Sequence, residues 1–289
     1  MDRMSGRNLA LAGIPRGGTT LACRLLGQAP GAIALFEPMP VHQLPAGDMA
    51  GAVAEVARFF AASRTSLLAD GTAPSKLHGG EVPDNPFSSA RSASGERKLQ
   101  ATLGTLRVQP PAQGFTLVVK HNAAFLALLP ALSERFEAFA IVRNPLAVLA
   151  SWNSVQLPVR EGRLPAGERL DPDLARCLDA EPDRVARQLL VLDWCFARIA
   201  TLPHANVLRY EAVAASGGQA LFDATGLQGA PDATLEARNA NPAWQATDPR
   251  GLAARLLAHG GAWRGWYDDR EIHALAGGIE GAREPGATR

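Results

Sequence analysis

The stretch Gly13-Ile14-Pro15-Arg16-Gly17-Gly18-Thr19-Thr20 lies between a short apolar run, Asn8 to Ala12, and a segment, Thr19 to Gln28, that carries Leu21, Leu25 and Leu26 at helical spacing. Apolar strand, glycine turn and helix, in that order, form the local arrangement that cradles a nucleotide phosphate on backbone N–H groups at a helix N-terminus. In ATPases and kinases such a loop has a lysine where this chain has Thr19. That lysine reaches the β- and γ-phosphates while a neighbouring hydroxyl holds Mg²⁺. Here the hydroxyls of Thr19 and Thr20 are kept and the cation moves back to Arg16. Loop amides, two hydroxyls and one guanidinium suit a terminal tetrahedral anion held without a metal, so the loop points to a nucleotide that lacks a γ-phosphate. Taken alone, Gly17 and Gly18 also fit an ordinary strand-to-helix turn in which glycine only relieves backbone strain.

Working outward, short apolar runs recur near residues 8–12, 32–36, 115–119, 138–142 and 206–209, with helical patterns between them. The clearest helices are expected at Gly47 to Ala62, Pro145 to Val155, Asp183 to Thr201 and Arg250 to His259. This alternation predicts an α/β fold with a mostly parallel central sheet flanked by helices. Residues 63–113 break the pattern: rich in Gly, Pro and Ser, they read as a long irregular insertion facing the substrate, with Lys76, His78, Glu81, Asp84, Asn85, Phe87 and Arg91 mixing charge and an aromatic ring. The Pro-rich stretch 158–172 reads as a surface loop and the tail after Gly277 as a frayed terminus.

The 289 residues allow one large α/β domain or two small ones. Lys and Arg number 29 against 28 Asp and Glu, so no polyanion-coating surface is indicated and nucleic acid is not an expected partner. No stretch approaches the roughly 18 to 20 apolar residues of a membrane span, and MDRMSGRNLALAG runs into the first strand without the pattern of a cleavable signal. A cytoplasmic enzyme is the expectation. Cys23, Cys177 and Cys195 show no C-x-x-C spacing and the six histidines form no H-x-x-x-H pair, so neither disulfide nor metal is expected. Cys23 and Cys195 fall in apolar helical patterns, as buried small hydrophobes do.

Two later strands end in cations where a phosphate-transferring ATPase has an aspartate for Mg²⁺. Phe115 to Val119 leads into Lys120, and Phe139 to Val142 leads into Arg143-Asn144-Pro145. Both cations are expected at the carboxyl edge of the sheet, beside the glycine loop, where they pair with phosphate or sulfate oxygens directly. Pro145 suits the first turn of a helix, and Ser151 follows Arg143 by eight residues. Arginine and hydroxyl close around a second phosphate, or else Arg-Asn-Pro is a plain turn and Ser151 a plain helix serine.

These residues resemble the sulfotransferases that use 3′-phosphoadenosine 5′-phosphosulfate, especially bacterial and Golgi-type members. GIPRGGTT is similar to their 5′-phosphosulfate loop, and AIVRNPLAVLASW to the motif whose arginine and serine hold the 3′-phosphate. FEP at Phe36 to Pro38, KHNAAF at Lys120 to Phe125, NVLRYEAV at Asn206 to Val213 and GAWRGW at Gly261 to Trp266 extend the resemblance along most of the chain. It implies a P-loop-like sulfotransferase fold over 1–289 as a single domain, and 3′-phosphoadenosine 5′-phosphosulfate as donor. It implies metal-independent in-line transfer to a hydroxyl of a sugar, glycan or small natural product. Arg16, Gly17, Gly18, Thr19, Thr20, Arg143 and Ser151 would hold the donor and Lys120 would assist transfer. Glu37 is the first candidate for base and His121 the second. The chain departs from the cytosolic small-molecule members, whose base motif is Lys-Thr-His and whose C-terminal Arg-Lys-Gly clamp falls here on Leu256-Leu257-Ala258, with Arg255 or Arg264 as possible replacements. A nucleotide-dependent kinase and a non-catalytic nucleotide-binding protein are the alternatives.

Overall fold

The computed structural model describes residues 6–91, 97–232, 234–235, 237–239 and 241–281. In chain order the elements are β1 (Asn8–Gly13), α1 (Thr19–Gln28), β2 (Ala32–Phe36), α2 (Met49–Asp70), β3 (Thr72–Leu77), β4 (Phe87–Arg91), β5 (Arg97–Leu99), β6 (Thr102–Arg107) and β7 (Thr116–Lys120). There follow α3 (Ala123–Ser133), β8 (Glu137–Val142), α4 (Pro145–Asn153), α5 (Pro165–Leu170), α6 (Pro172–Ala180) and α7 (Arg184–Ile199). The chain continues through β9 (Val207–Arg209), α8 (Tyr210–Ala215), α9 (Gln219–Thr225), α10 (Pro249–His259) and α11 (Asp269–Gly281).

The five apolar runs read from the sequence form one sheet in the order β2-β7-β1-β8-β9, with every neighbouring pair parallel. Side chains of a strand alternate between faces. Ala10 and Ala12 of β1 accordingly join one core cluster with residues of α2, α3, α4 and α7, while Leu9 and Leu11 join the other with residues of α1, α8 and α9. A strand covered on both faces has no polar side to show, which is why these runs are continuously apolar.

From β1 the chain crosses on the α1 face to β2, and from β7 it crosses on the α3 face to β8. The two crossovers leave in opposite directions, so a crevice opens between β1 and β7 at their carboxyl ends. Leu11 and Phe36 both pair in register with Lys120, and Gly13 with Ile141, so the glycine loop, Glu37, Lys120 and Arg143 emerge at one edge.

Residues 63–113 differ from the irregular insertion expected. Residues 63–70 continue α2, which the pattern ended at Ala62, and β3 pairs antiparallel with β6 over Thr72 to Leu77. A second short antiparallel pair joins β4 and β5. The β3–β6 ribbon escaped notice because one of its strands holds Pro74 and the other is largely exposed, so neither shows an apolar run. The side chain of Arg91 lies outside the described residues. The stretch 158–172 is more than surface loop: it contains α5, and Val159, Leu164 and Leu170 are buried. The tail reading also shifts, because α11 runs on to Gly281; residues 282–289 lie outside the described residues.

Candidate functional site

The glycine loop is held in its shape by tight contacts. Gly18 has φ +92°, and a Cβ placed there would sit 2.4 Å from Cδ2 of Tyr210. A Cβ on Gly13 would sit 2.5 Å from Thr19 Cγ2 and 2.6 Å from Ile141 O. Arg16 takes φ +70° although it is not glycine, a conformation that persists only where the surroundings impose it. Three contacts do so: Trp152 Nε1, fully buried, donates to Pro15 O at 2.8 Å, Arg143 Nη1 donates to Arg16 O at 2.9 Å, and Gly17 N donates to Ile14 O at 2.8 Å. The helix α1 then starts at Thr19 without a side-chain cap and without an acidic residue in its first turn. Its first N–H groups therefore present the positive end of the helix.

Next to the loop, Arg16 Nε donates to Ser151 Oγ at 3.1 Å and the guanidinium lies 4.6 Å from the centre of the Phe87 ring. Thr19 Oγ1 donates to Asn122 Oδ1 at 2.9 Å. Arg143 is nearly buried, and three of its N–H groups are engaged, with Asn239 Oδ1, Arg16 O and Arg238 O. Its guanidinium also lies 4.6 Å from the Tyr210 ring centre. Desolvation lowers its pKa from the ordinary value, which for arginine leaves the charge in place.

Glu37 is the second non-glycine residue of the site with a positive φ, +42°, and its N–H donates to Lys120 O at 2.8 Å. Its carboxylate is clamped from two sides: Lys120 Nζ donates to Oε1 at 2.8 Å and Lys76 Nζ donates to Oε2 at 2.6 Å. Burial alone works against ionisation of Glu37, but the charges of Lys120 and Lys76 outweigh it and hold the carboxyl well below its usual range. Lys120 is itself buried and lies 4.5 Å from the Phe36 ring centre.

His121 faces differently. Met39 N–H donates to its Nε2 at 3.1 Å, so that nitrogen carries no proton, and the ring tilts against Phe125. Desolvation pulls its pKa down to about 3. Its Nε2 is therefore committed to the backbone, whereas the Glu37 carboxylate is held by two ammonium groups.

Arg16, Gly18, Thr19, Thr20, Glu37, Lys120, His121, Arg143 and Ser151 all line one cavity of about 490 Å³; Gly17 shapes the loop without lining it. That volume falls in the range of about 300–1,000 Å³ of small-molecule sites. Arg255 reaches Asp183, and Arg264 reaches Asp269 and lies on Trp263, so neither lines the cavity; Arg238 does. Trp152, Trp244 and Trp263 are core side chains, and Trp244 also flanks Arg143 at 5.3 Å. Sequence patterning placed Lys76 and Phe87 in a substrate-facing insertion without giving them partners, and gave no role to Asn122; the contacts of all three depend on strand pairing and on loops distant along the chain. Cys23 and Cys195 are buried, as expected, and burial pushes the Cys23 thiol up to about 12. Among the described residues no cluster of His, Cys, Asp and Glu forms a metal site, and no helix is long and apolar enough to cross a membrane.

No family model matches the sequence, and no curated protein matches it. Among solved structures the chain is similar to sulfotransferase STF1 from Mycobacterium tuberculosis, at 14% identity and a TM-score of 0.35, over 96% of this chain and 77% of that one.

Proposed function

We propose that the protein moves a sulfuryl group from 3′-phosphoadenosine 5′-phosphosulfate to a hydroxyl of a sugar, glycan or small natural product, without a metal. The observation that carries this reading is the meeting of a lysine-paired carboxylate, Glu37 with Lys120, and a lysine-free glycine loop in one cavity. The loop amides with Arg16, Thr19 and Thr20 hold the 5′ end of the donor, and Ser151 with Arg143 holds the 3′-phosphate. Arg16 bonded to Ser151 makes the two anion sites adjacent.

In this scheme Glu37 takes the proton of the acceptor hydroxyl as the acceptor oxygen bonds to sulfur. Lys120 turns from Glu37 to the bridging oxygen, which keeps the electron pair of the breaking S–O bond and leaves on adenosine 3′,5′-bisphosphate. The cations do the work that Mg²⁺ does for a γ-phosphate, with no redox change and no net proton beyond the one Glu37 accepts. The ribbon β3–β6, which carries Lys76, and β4, which carries Phe87, form the acceptor-facing part of a single domain.

Calorimetry tests the reading. Adenosine 3′,5′-bisphosphate should bind with measurable heat in buffer containing a chelator, and more tightly than adenosine 5′-phosphate. ATP with Mg²⁺ binding more tightly than the bisphosphate would instead favour a kinase. Incubation with ³⁵S-labelled donor and fractionated metabolites then identifies the acceptor.

A further inference from the structure

Glu37 has two cationic partners of different kinds. Lys120, on a central strand of the parallel sheet, is 1% exposed; Lys76, on the antiparallel ribbon, is 35% exposed, and each binds its own carboxylate oxygen. Lys76 is brought there by construction. The buried Ser75 Oγ accepts from Phe36 N–H at 3.0 Å, which fastens β3 to the end of β2, and the pairing of Lys76 with Leu103 fixes the strand from its other side. Both ammonium groups lie over the Phe36 ring, at 4.5 and 5.9 Å from its centre.

Glu37 keeps only 23% of its side chain exposed, so loss of its countercharges drives it towards the protonated form, and a protonated Glu37 is no base. Sulfuryl transfer as proposed above withdraws Lys120 to the leaving oxygen at the moment the base is needed. The other titratable groups coupled to Glu37 are His121 and Cys23. Neither supplies a positive charge: the imidazole accepts from Met39 N–H and the thiol stays protonated. We infer that Lys76 is a positioning residue that keeps Glu37 charged and oriented while Lys120 serves the departing group. This rests on the sulfuryl-transfer reading for its purpose, but the clamp itself can be measured without donor or acceptor.

The experiment is a ¹³C NMR titration of the Glu37 carboxyl in the full chain, with the signal assigned through Glu37→Gln. Lys120→Ala mimics the withdrawn lysine. With Lys76 in place, the Glu37 signal should stay that of a carboxylate from pH 8 to pH 5. In Lys120→Ala/Lys76→Met it should titrate within that window, a rise of at least one pH unit, and Lys120→Ala/Lys76→Arg should restore the flat response. Lys76→Gln replaces Lys76→Met if the latter does not fold. Titration of Glu37 near neutrality in Lys120→Ala alone, or a flat response in the double variant, overturns the role of Lys76. A parallel arm adds adenosine 3′,5′-bisphosphate to Lys76→Met: a rise in the Glu37 titration point supports both readings. Absence of bisphosphate binding in calorimetry overturns sulfuryl transfer while the Lys120→Ala series still decides the clamp.

Discussion

Arg143 donates through Nη1 to the carbonyl of Arg16 at 2.9 Å, so the cation at the end of β8 props up the loop that carries the other cation. With Asn239 Oδ1 and Arg238 O also accepting from it, the side chain joins three chain segments. Its removal leaves those acceptors unpaired and takes away one of the three contacts that hold the left-handed turn at Arg16. Charged hydrogen bonds are worth about 1.5–3 kcal/mol each before compensation, so Arg143→Ala should lower folding stability by about 3 kcal/mol or more in urea denaturation. Arg143→Lys should recover little, because one ammonium cannot span three acceptors set around a planar fork. A loss of bisphosphate binding with unchanged stability would show that the support is not needed.

Gly18 and Gly31 separate two causes of strain. Both have positive φ, +92° and +72°, but a Cβ at Gly18 meets the Tyr210 ring at 2.4 Å while one at Gly31 meets nothing within 4 Å. Gly31→Ala should therefore cost about 1 kcal/mol for the left-handed backbone alone. Gly18→Ala adds the collision and should cost about 3 kcal/mol. Equal losses in thermal or chemical unfolding would mean that the tyrosine ring moves aside freely.

Thr19 offers a prediction on the loop itself. Its hydroxyl donates to Asn122 Oδ1, so its proton points away from any anion on the loop until that bond is exchanged. Asn122→Ala should free the hydroxyl and tighten adenosine 3′,5′-bisphosphate binding by a few-fold. Thr19→Val should weaken it roughly tenfold, the equivalent of one hydrogen bond of about 1.4 kcal/mol. Calorimetric titrations of the two variants showing the same direction of change would remove the proposed exchange.

What the sequence made legible follows from how local each signal is. The five sheet strands are apolar on both faces and so stand out as runs, and α2, α4, α7 and α10 show as helical patterns near residues 47–62, 145–155, 183–201 and 250–259. The strand-end positions of Glu37, Lys120 and Arg143 follow from those runs. The partners do not: Arg16 and Ser151 are 135 residues apart, and Lys76 reaches Glu37 only because β3 pairs with β6 across an interval that has no apolar pattern. The left-handed backbone at Glu37 and Arg16 is equally silent in sequence, since neither is glycine. α3 is not among the expected helices: it is apolar on nearly every side, so it shows no periodic stripe, and Pro130 lies inside it although the helix continues to Ser133.

His121 sets a pH response that can be isolated. Its pKa falls from 6.5 to about 3 on folding, because burial disfavours the imidazolium and Nε2 already accepts from Met39 N–H. Below pH 6.5 the unfolded chain binds a proton at this position that the folded chain refuses. The contribution is thus complete above about pH 6.5 and is lost as pH falls towards 3, at about 1.4 kcal/mol per pH unit. Glu37, with its folded pKa below the ordinary 4.5, adds its own loss only under more acid conditions, so the interval from pH 6.5 to 5 reports on the histidine. In His121→Asn, which keeps an acceptor for Met39 but cannot titrate, the slope of stability against pH over that interval should be shallower by close to the full amount. Parallel slopes for the two proteins in urea denaturation would mean that the imidazole charges in the folded state, and would restore it as a candidate proton acceptor at the site.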